Sequence, residues 1–352
     1  MHDASMARGR RTNGAGGPSS LPFLQKRPAQ LVFRYGFGFT ALVSALLLVL
    51  MLVFLIAFSF PAIRFNGWTI LTGVMWNIGN QYGTGTSTHN GVSAMPGANF
   101  GGLVFIFGTI ATSALAMLLA VPISILVALA LVYRVPRRLK TLANATVELM
   151  AGVPSVVYGL WGLVVLVPWI GHSFAPFVTS HFGRTPVFGG EPGSGNGLLA
   201  SGIILAIMVI PIMVATMRDV IVAQTGSIFE ASMALGSTSW QAVTRAVIPS
   251  VRSGMTASIL VALGRALGET MAVLMVSGAA VNQFPSNIFQ AVNTIAAVIV
   301  SQLDSALTDA SGLAQRSLAE LAVVLFIITL TVNSIARAIL HGADRARESS
   351  NR

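Results

Sequence analysis

Apolar side chains occur along this chain in blocks too long for soluble helices and too continuous for half-buried strands. The first runs from Tyr35 to Phe60, and further blocks lie at about 101–132, 142–170, 196–224, 254–280 and 316–340. A stretch of roughly 20 apolar residues crosses a bilayer core of about 30 Å as an α-helix. Only helices and closed barrels satisfy every backbone group there. The pattern therefore predicts an all-α polytopic membrane protein with six transmembrane helices. The first block exceeds the roughly 7–15 residues of a signal-peptide core, so it reads as an uncleaved helix.

Between the blocks the polar positions set the organisation. Residues 1–34 form a basic tail rich in Gly, Pro and Ser, too polar to bury a core of its own. The first membrane helix is expected at 35–60, an outer loop at 61–100, the main helical body at 101–341 and a second tail at 342–352. Pro154, within AGVPS, removes a backbone donor and predicts a kink or break in the third block. The stretch NIFQAVNTIAAVIVSQL, 287–303, is long enough to suggest a seventh span, but Asn287, Gln290, Asn293 and Gln302 make it a poor lipid-facing helix. It is expected to be re-entrant or to lie on the outer surface.

Charge supports six spans. With the N-terminus inside, all but four of the 21 Lys/Arg residues fall on the cytoplasmic side; Arg64, Arg184 and Arg316 fall outside and Arg265 in the membrane. A seventh span would carry the C-terminal cations outward, against the positive-inside rule. The net charge of +10 thus belongs to membrane topology and implies no nucleic-acid partner. Only 9% of residues are charged, against about 25% in soluble domains. The absence of cysteine excludes disulfides, thiolate metal sites and cysteine nucleophiles, and the five histidines are not spaced as metal ligands.

Against this background two charges stand out. Between Arg252 and Asp304 the only charged side chains are Arg265 and Glu269, within GRALGETMA. On one helix, residues at i and i+4 share a face. An arginine at the bilayer centre costs about 2.5–3.5 kcal/mol on insertion scales. An ion pair there adds little stability over packed apolar groups. The guanidinium fork fits the oxygens of an oxyanion, so Arg265 and Glu269 are expected to line a substrate pathway; a self-neutralising structural pair is the alternative. Gly264 and Gly268 have the small-xxx-small spacing that permits close helix packing beside it. Ser155 and Tyr158, after the Pro154 break, are candidate donors to an oxyanion. Glu148, before it, either lines the inner mouth or sits at the interface. Arg316 and Glu320 are read as a solvated surface pair.

The polar segment 225–252 contains EASMALGSTSWQAVTRAVIPS, from Glu230. It reads as a short helix, a turn at Gly236 and a second short helix stopping at Pro249, a form suited to docking in a partner's groove. Glu230, Ala231, Gly236 and Pro249 resemble the EAA loop of ABC-importer permeases. Ser232, Ala246 and Ile248 stand where that pattern has alanine, isoleucine and leucine. ELMAGVPSVVYGLWGLVVLVP, from Glu148, and ALGRALGETMAVLMVSG, from Ala262, resemble the PstC type of permease of the phosphate-specific ABC importer.

The resemblance implies a type I ABC-importer permease fold and import of inorganic phosphate. It implies a homologous PstA-type permease, a dimer of PstB-type ATPases and a PstS-type binding protein as partners, with the 225–252 loop coupling to the ATPase. The chain has no G-x-x-x-x-G-K-[ST] sequence, so ATP is expected on a partner, with no cofactor and no catalytic residue here. Both termini are expected in the cytoplasm, in a cell or inner membrane. A permease for molybdate or sulfate, or the PstA-type sister, is the alternative within the class. A channel or an intramembrane enzyme is the alternative outside it, although no nucleophile–base or metal constellation is visible.

Overall fold

The structure is a computed structural model and describes residues 28–80, 85–185, 187–191 and 193–350; the expected tail at 1–34 lies outside these as far as residue 27. The chain divides into two units, 1–53 and 54–352. The first contributes the beginning of helix α1, Pro28–Asn66. Six helices among the described residues have the length and composition to cross a membrane.

After α1 the outer loop holds α2, Thr69–Thr72, and four short strands: β1 Trp76–Asn77, β2 Ser87–His89, β3 Val92–Ala94 and β4 Asn99–Phe100. β1 pairs antiparallel with β4, and β2 with β3. These small ribbons are the only paired strands among the described residues, apart from an isolated bridge between Gly278 and Val292. Helix α3, Leu103–Tyr133, then crosses the bundle. Its buried face carries Gly108, Thr112, Ala116, Ala120, Ser124 and Ala128, one small side chain per turn. Such a stripe lets another helix approach closely. It packs against α8, Leu198–Ala234, whose buried Leu205, Met208, Met213 and Met217 fill the inner core. On the same stripe, a Cβ at Gly108 would lie 2.0 Å from the Asn293 carbonyl oxygen.

Between α3 and α8 the expected span at 142–170 is corrected. Residues Arg137–Ala151 form α4, an amphipathic helix with no buried residue, and the chain breaks at Gly152–Pro154. The crossing helix is instead Ser155–Phe182. It comprises α5, Ser155–Trp161, α6, Val167–Trp169, and α7, Ala175–Phe182, joined by π turns at Gly162–Leu166 and Ile170–Phe174. Proline disfavours the α region in the residue before it, and with Gly152 capping α4 the chain breaks at Pro154, whereas α3 and α8 run through Pro122 and Pro211.

The fifth span is Ser239–Leu267: α9, Ser239–Ala242, a π turn at Val243–Val247, and α10, Ile248–Leu267. Pro249 therefore does not stop the helix. It shares a device with Pro168 and Pro176: each directly follows the residue that closes a π turn. The closing bonds run from the N–H groups of Val167, Ala175 and Ile248 to the carbonyls of Gly162, Ile170 and Val243, five residues back. Proline cannot donate to the residue four before it, and the widened turn absorbs the missing bond.

The expected helix at 254–280 ends at Leu267; α11, Met271–Val276, follows, and residues 277–294 form an irregular segment that is exposed around 282–284 and buried at Asn287, Phe289 and 292–294. That segment lies against the start of α8: Leu198 and Leu199 donate to the carbonyls of Gln290 and Ile288. Its amides have specific partners. Asn287 Nδ2 donates to the Gly189 carbonyl at 2.8 Å, and Asn282 exchanges two bonds with the backbone of Trp76. Helix α12, Ile295–Leu307, spans only about 20 Å at 1.5 Å per residue, too short to cross. Its Thr294 cap and buried Ile295–Val298 turn fit the expectation of a non-spanning element at 287–303. α13, Leu313–Ser350, completes the bundle and extends through most of the expected tail.

Glu320, on α13, corrects the reading of a solvated pair. It is 3% exposed and accepts from Asn66 Nδ2 at 2.6 Å, with no ion pair to Arg316. Asn66, also buried, reaches it because α1 ends beside the start of α13, and the same amide donates to buried Ser317 Oγ at 3.3 Å.

Candidate functional site

The two charges in the fifth apolar block sit at a break in the helix. α10 ends at Leu267, and Gly268, a poor helix former, takes the cap position. Glu269 is thus past the helix and does not share a face with Arg265, which corrects the i, i+4 pairing. Its Oε1 accepts from the Ala272 amide at 3.3 Å at the start of α11. A carboxylate is favoured there because the first amides of a helix lack partners. Arg265 is exposed, and among the described residues it makes no ion pair or hydrogen bond.

Arg265 belongs to an open face of α10. Ser253, Ala257, Val261 and Gly268 are exposed with it at helical spacing, and Val261 is 62% exposed. The opposite face, with Val251, Met255, Ala262 and Ala266, is buried in the inner core. An unpaired guanidinium among apolar and small residues is unstable in lipid, so this face needs either a polar companion or water.

Gly264 and Gly268 do not form a tight seam within the chain. A Cβ at Gly264 would come no closer than 3.9 Å to Asn333 Nδ2 of α13, and one at Gly268 would meet only its own helix backbone at 3.8 Å. Gly268 is exposed on the open face, and Gly264 is half-buried at its edge beside α13. The close approach is made instead by glycines of the YGLWG stretch. A Cβ at Gly159 would lie 2.9 Å from Ala272 Cα, and one at Gly162 would lie 2.6 Å from Ile204 Cδ1. The spacing of three in GLWG was the available signal. Through Gly159 the structure brings the stretch after Pro154 against the stretch after Glu269.

Tyr158 and Ser155 are beside that contact. The Tyr158 hydroxyl donates to the Met150 carbonyl at 2.9 Å, bridging the Pro154 break. Its proton is therefore committed to a carbonyl at the end of α4, which also accepts from the Val153 amide at 3.3 Å. Ser155 is half-buried at the first position of α5. Glu148, on α4, pairs with Arg218 Nη2 of α8 at 3.1 Å. Arg218 also meets Asp219 at 2.7 Å, and its side chain is 12% exposed. Sequence reasoning counted Arg218 only as a topological cation; its long apolar neighbourhood, MVIPIMVATMRDVIV, was the missed signal.

The second site is the 225–252 loop, whose two helices are the ends of the fourth and fifth spans rather than separate short ones. Gly236 has φ +85°, as a turn glycine requires. The Ser237 amide donates to the Ser232 carbonyl and the Gly236 amide to that of Met233, closing a Schellman turn. Thr238 then opens the next helix in a capping box with Gln241. Both ends are thus locked, and the turn holds its shape without burial. Glu230 and Ala231 are exposed on the last turns of α8, and Leu235 at the tip is 88% exposed. A rigid turn with an apolar tip and a carboxylate one turn before it is fitted to seat in another protein's groove.

Comparison with known proteins bears on both sites. Residues 120–347 match the family described as binding-protein-dependent transport system inner membrane component. The phosphate transport system permease protein PstC 1 of Mycobacterium tuberculosis is 45% identical over 88% of this chain and 92% of its own length. PstC of Pasteurella multocida is 35% identical over 88% of this chain and 91% of its own. Among solved structures, a bacterial ABC transporter involved in import of the acidic polysaccharide alginate aligns at 17% identity with TM-score 0.52, over 89% of this chain and 99% of that one; this likeness concerns the fold.

Proposed function

The chain belongs to the binding-protein-dependent transport system inner membrane component family, and we propose that it is the PstC-type permease subunit of an ATP-driven importer of inorganic phosphate. The observation that carries this reading is the 45% identity to a phosphate permease across 88% of the chain. Six apolar helices make it a multi-pass membrane protein. The test is uptake by cells lacking other phosphate transporters: phosphate enters, and excess sulfate or molybdate leaves the rate unchanged. Loss of phosphate uptake to either competitor would overturn the substrate.

In this reading the open face of α10 meets a homologous PstA-type permease, and the two chains enclose a path for the anion. Arg265 offers a planar set of donors there, where an unpaired anion in a low dielectric would be very costly. Glu269, bound to the backbone of α11, keeps a negative charge about one turn away and limits how tightly phosphate is held, since a site must also release. A PstS-type protein delivers phosphate outside, and a dimer of PstB-type ATPases, which carries the ATP, drives the change of access. The residues of this chain orient and release the anion and make or break no covalent bond.

Gly236→Val tests the loop. A β-branched residue at φ +85° costs roughly 1–2 kcal/mol of backbone strain, so the turn should deform. Uptake is expected to fall severalfold at unchanged membrane abundance, whereas Gly236→Asn, which tolerates that backbone, should transport nearly normally. Normal uptake by the valine variant would remove the loop from coupling. Topology has its own test. A reporter active only outside the membrane, fused after Arg352, should be silent; a signal there would place the C-terminus outside.

A further inference from the structure

A cleft of about 240 Å³ opens beside the 225–252 loop, between the end of α3, the end of α8 and the start of α9. Leu126, Leu129 and Tyr133 of α3, and Arg134 at its end, line it with Phe229 of α8 and Trp240 of α9. The aromatic part of the lining is preformed. The rings of Tyr133 and Phe229 lie 4.6 Å apart, and the Tyr133 hydroxyl is 2.7 Å from Thr225 Oγ1. Thr225 spends its own proton on the Ile221 carbonyl, so the phenol donates to it.

The distribution of chemistry along this cleft is graded. Leu126, 64% exposed, lies eight residues before Arg134, a rise of about 12 Å. Apolar walls thus lead from the membrane side to a cation at the end of α3. Arg134 is exposed and makes no ion pair or hydrogen bond among the described residues, and no acidic side chain lines the cleft. Arg137 and Arg138, exposed at the start of α4, add positive charge next to it. Tyr133 and Trp240, the latter 67% exposed, are residues favoured where hydrocarbon meets headgroups.

We infer that this cleft is a binding site for one anionic phospholipid, with an acyl chain along Leu126 and Leu129 and the headgroup phosphate on Arg134. The charge is complementary, and the apolar-to-cationic gradient has the direction of a lipid entering from the bilayer. The inference depends on the chain spanning a membrane and is independent of what it transports.

The test uses the whole purified complex in vesicles of phosphatidylcholine containing brominated phosphatidylglycerol or brominated phosphatidylcholine. Trp240 fluorescence is obtained by subtracting the Trp240→Phe complex, which removes the other four tryptophans. One basic residue near a membrane surface favours anionic lipid by about fivefold. Brominated phosphatidylglycerol should therefore quench about fivefold more effectively than brominated phosphatidylcholine. Arg134→Gln should abolish that preference and Arg134→Lys should keep part of it, while joint replacement of Arg137 and Arg138 by Gln should lower it only slightly. Inorganic phosphate should leave it unchanged.

Equal quenching by the two lipids in the unmodified complex would overturn the site. So would an equal loss in the Arg137/Arg138 variant, which would mean diffuse surface attraction. A preference abolished by free phosphate would make phosphate the ligand, and a Trp240 that no lipid quenches would mean that another subunit covers the cleft; either defeats the proposal.

Discussion

Arg265→Gln is expected to leave the chain in the membrane and to lower phosphate uptake by about 100-fold or more, the scale on which losing one preorganised donor to an oxyanion acts. The geometry sharpens the expectation. Because α10 ends before Glu269, the arginine is not neutralised by its sequence neighbour, and removing it leaves no buried carboxylate stranded. Glutamine should therefore be structurally mild. Arg265→Lys should recover only part of the rate, since it keeps the charge and loses the planar fork. Glu269→Gln separates charge from structure: an amide oxygen can still accept from Ala272, so assembly should persist while release of phosphate slows. Uptake normalised to membrane-inserted complex measures all three. Wild-type uptake by Arg265→Gln would make the charge purely structural.

Gly108→Ala and Gly264→Ala should give opposite results, although each adds one methyl group to a glycine in a membrane helix. At Gly108 the Cβ would lie 2.0 Å from the Asn293 carbonyl oxygen, a backbone atom held by the segment that leads into α12. Forced overpacking of this kind costs about 1–3 kcal/mol, and occasionally more. Purified Gly108→Ala complex should unfold several degrees lower and accumulate poorly. At Gly264 the nearest atom is 3.9 Å away within this chain, and alanine is the better helix former by about 1 kcal/mol. The chain itself should be no less stable. If the PstA-type partner packs on that face, Gly264→Ala should nevertheless weaken co-purification of the partner and reduce uptake. Full co-purification with full uptake would show that no partner backbone approaches Gly264. Thermal unfolding followed by size exclusion, with uptake in parallel, measures both.

Six spans, the exclusion of 287–303 as a crossing helix and the turn at Gly236 were legible in the sequence because each depends on local properties. A run of apolar residues, a count of amides or a single glycine needing positive φ carries its meaning without knowledge of what lies across the bundle. The resemblance of the 225–252 loop and of the stretches from Glu148 and Ala262 was legible for a related reason: functional residues there are close in sequence. The break at Pro154 was anticipated, but not that it would end α4 and move the third span to Ser155–Phe182.

Only the tertiary structure decided which small residues meet a neighbour. Gly264 and Gly268 have the packing spacing yet meet nothing closer than 3.8 Å, while Gly159, Gly162 and the stripe on α3 make the close approaches; the difference lies in which element is opposite. Likewise, Arg265 and Glu269 are four apart, yet the helix ends between them and an amide of α11 takes the carboxylate. Glu320 and Asn66 are 254 residues apart and joined at 2.6 Å, and Glu148 reaches Arg218 across 70 residues. A polar group in a low-dielectric interior must find a partner wherever the fold supplies one. The sequence determined which residues needed partners, and packing chose the partners.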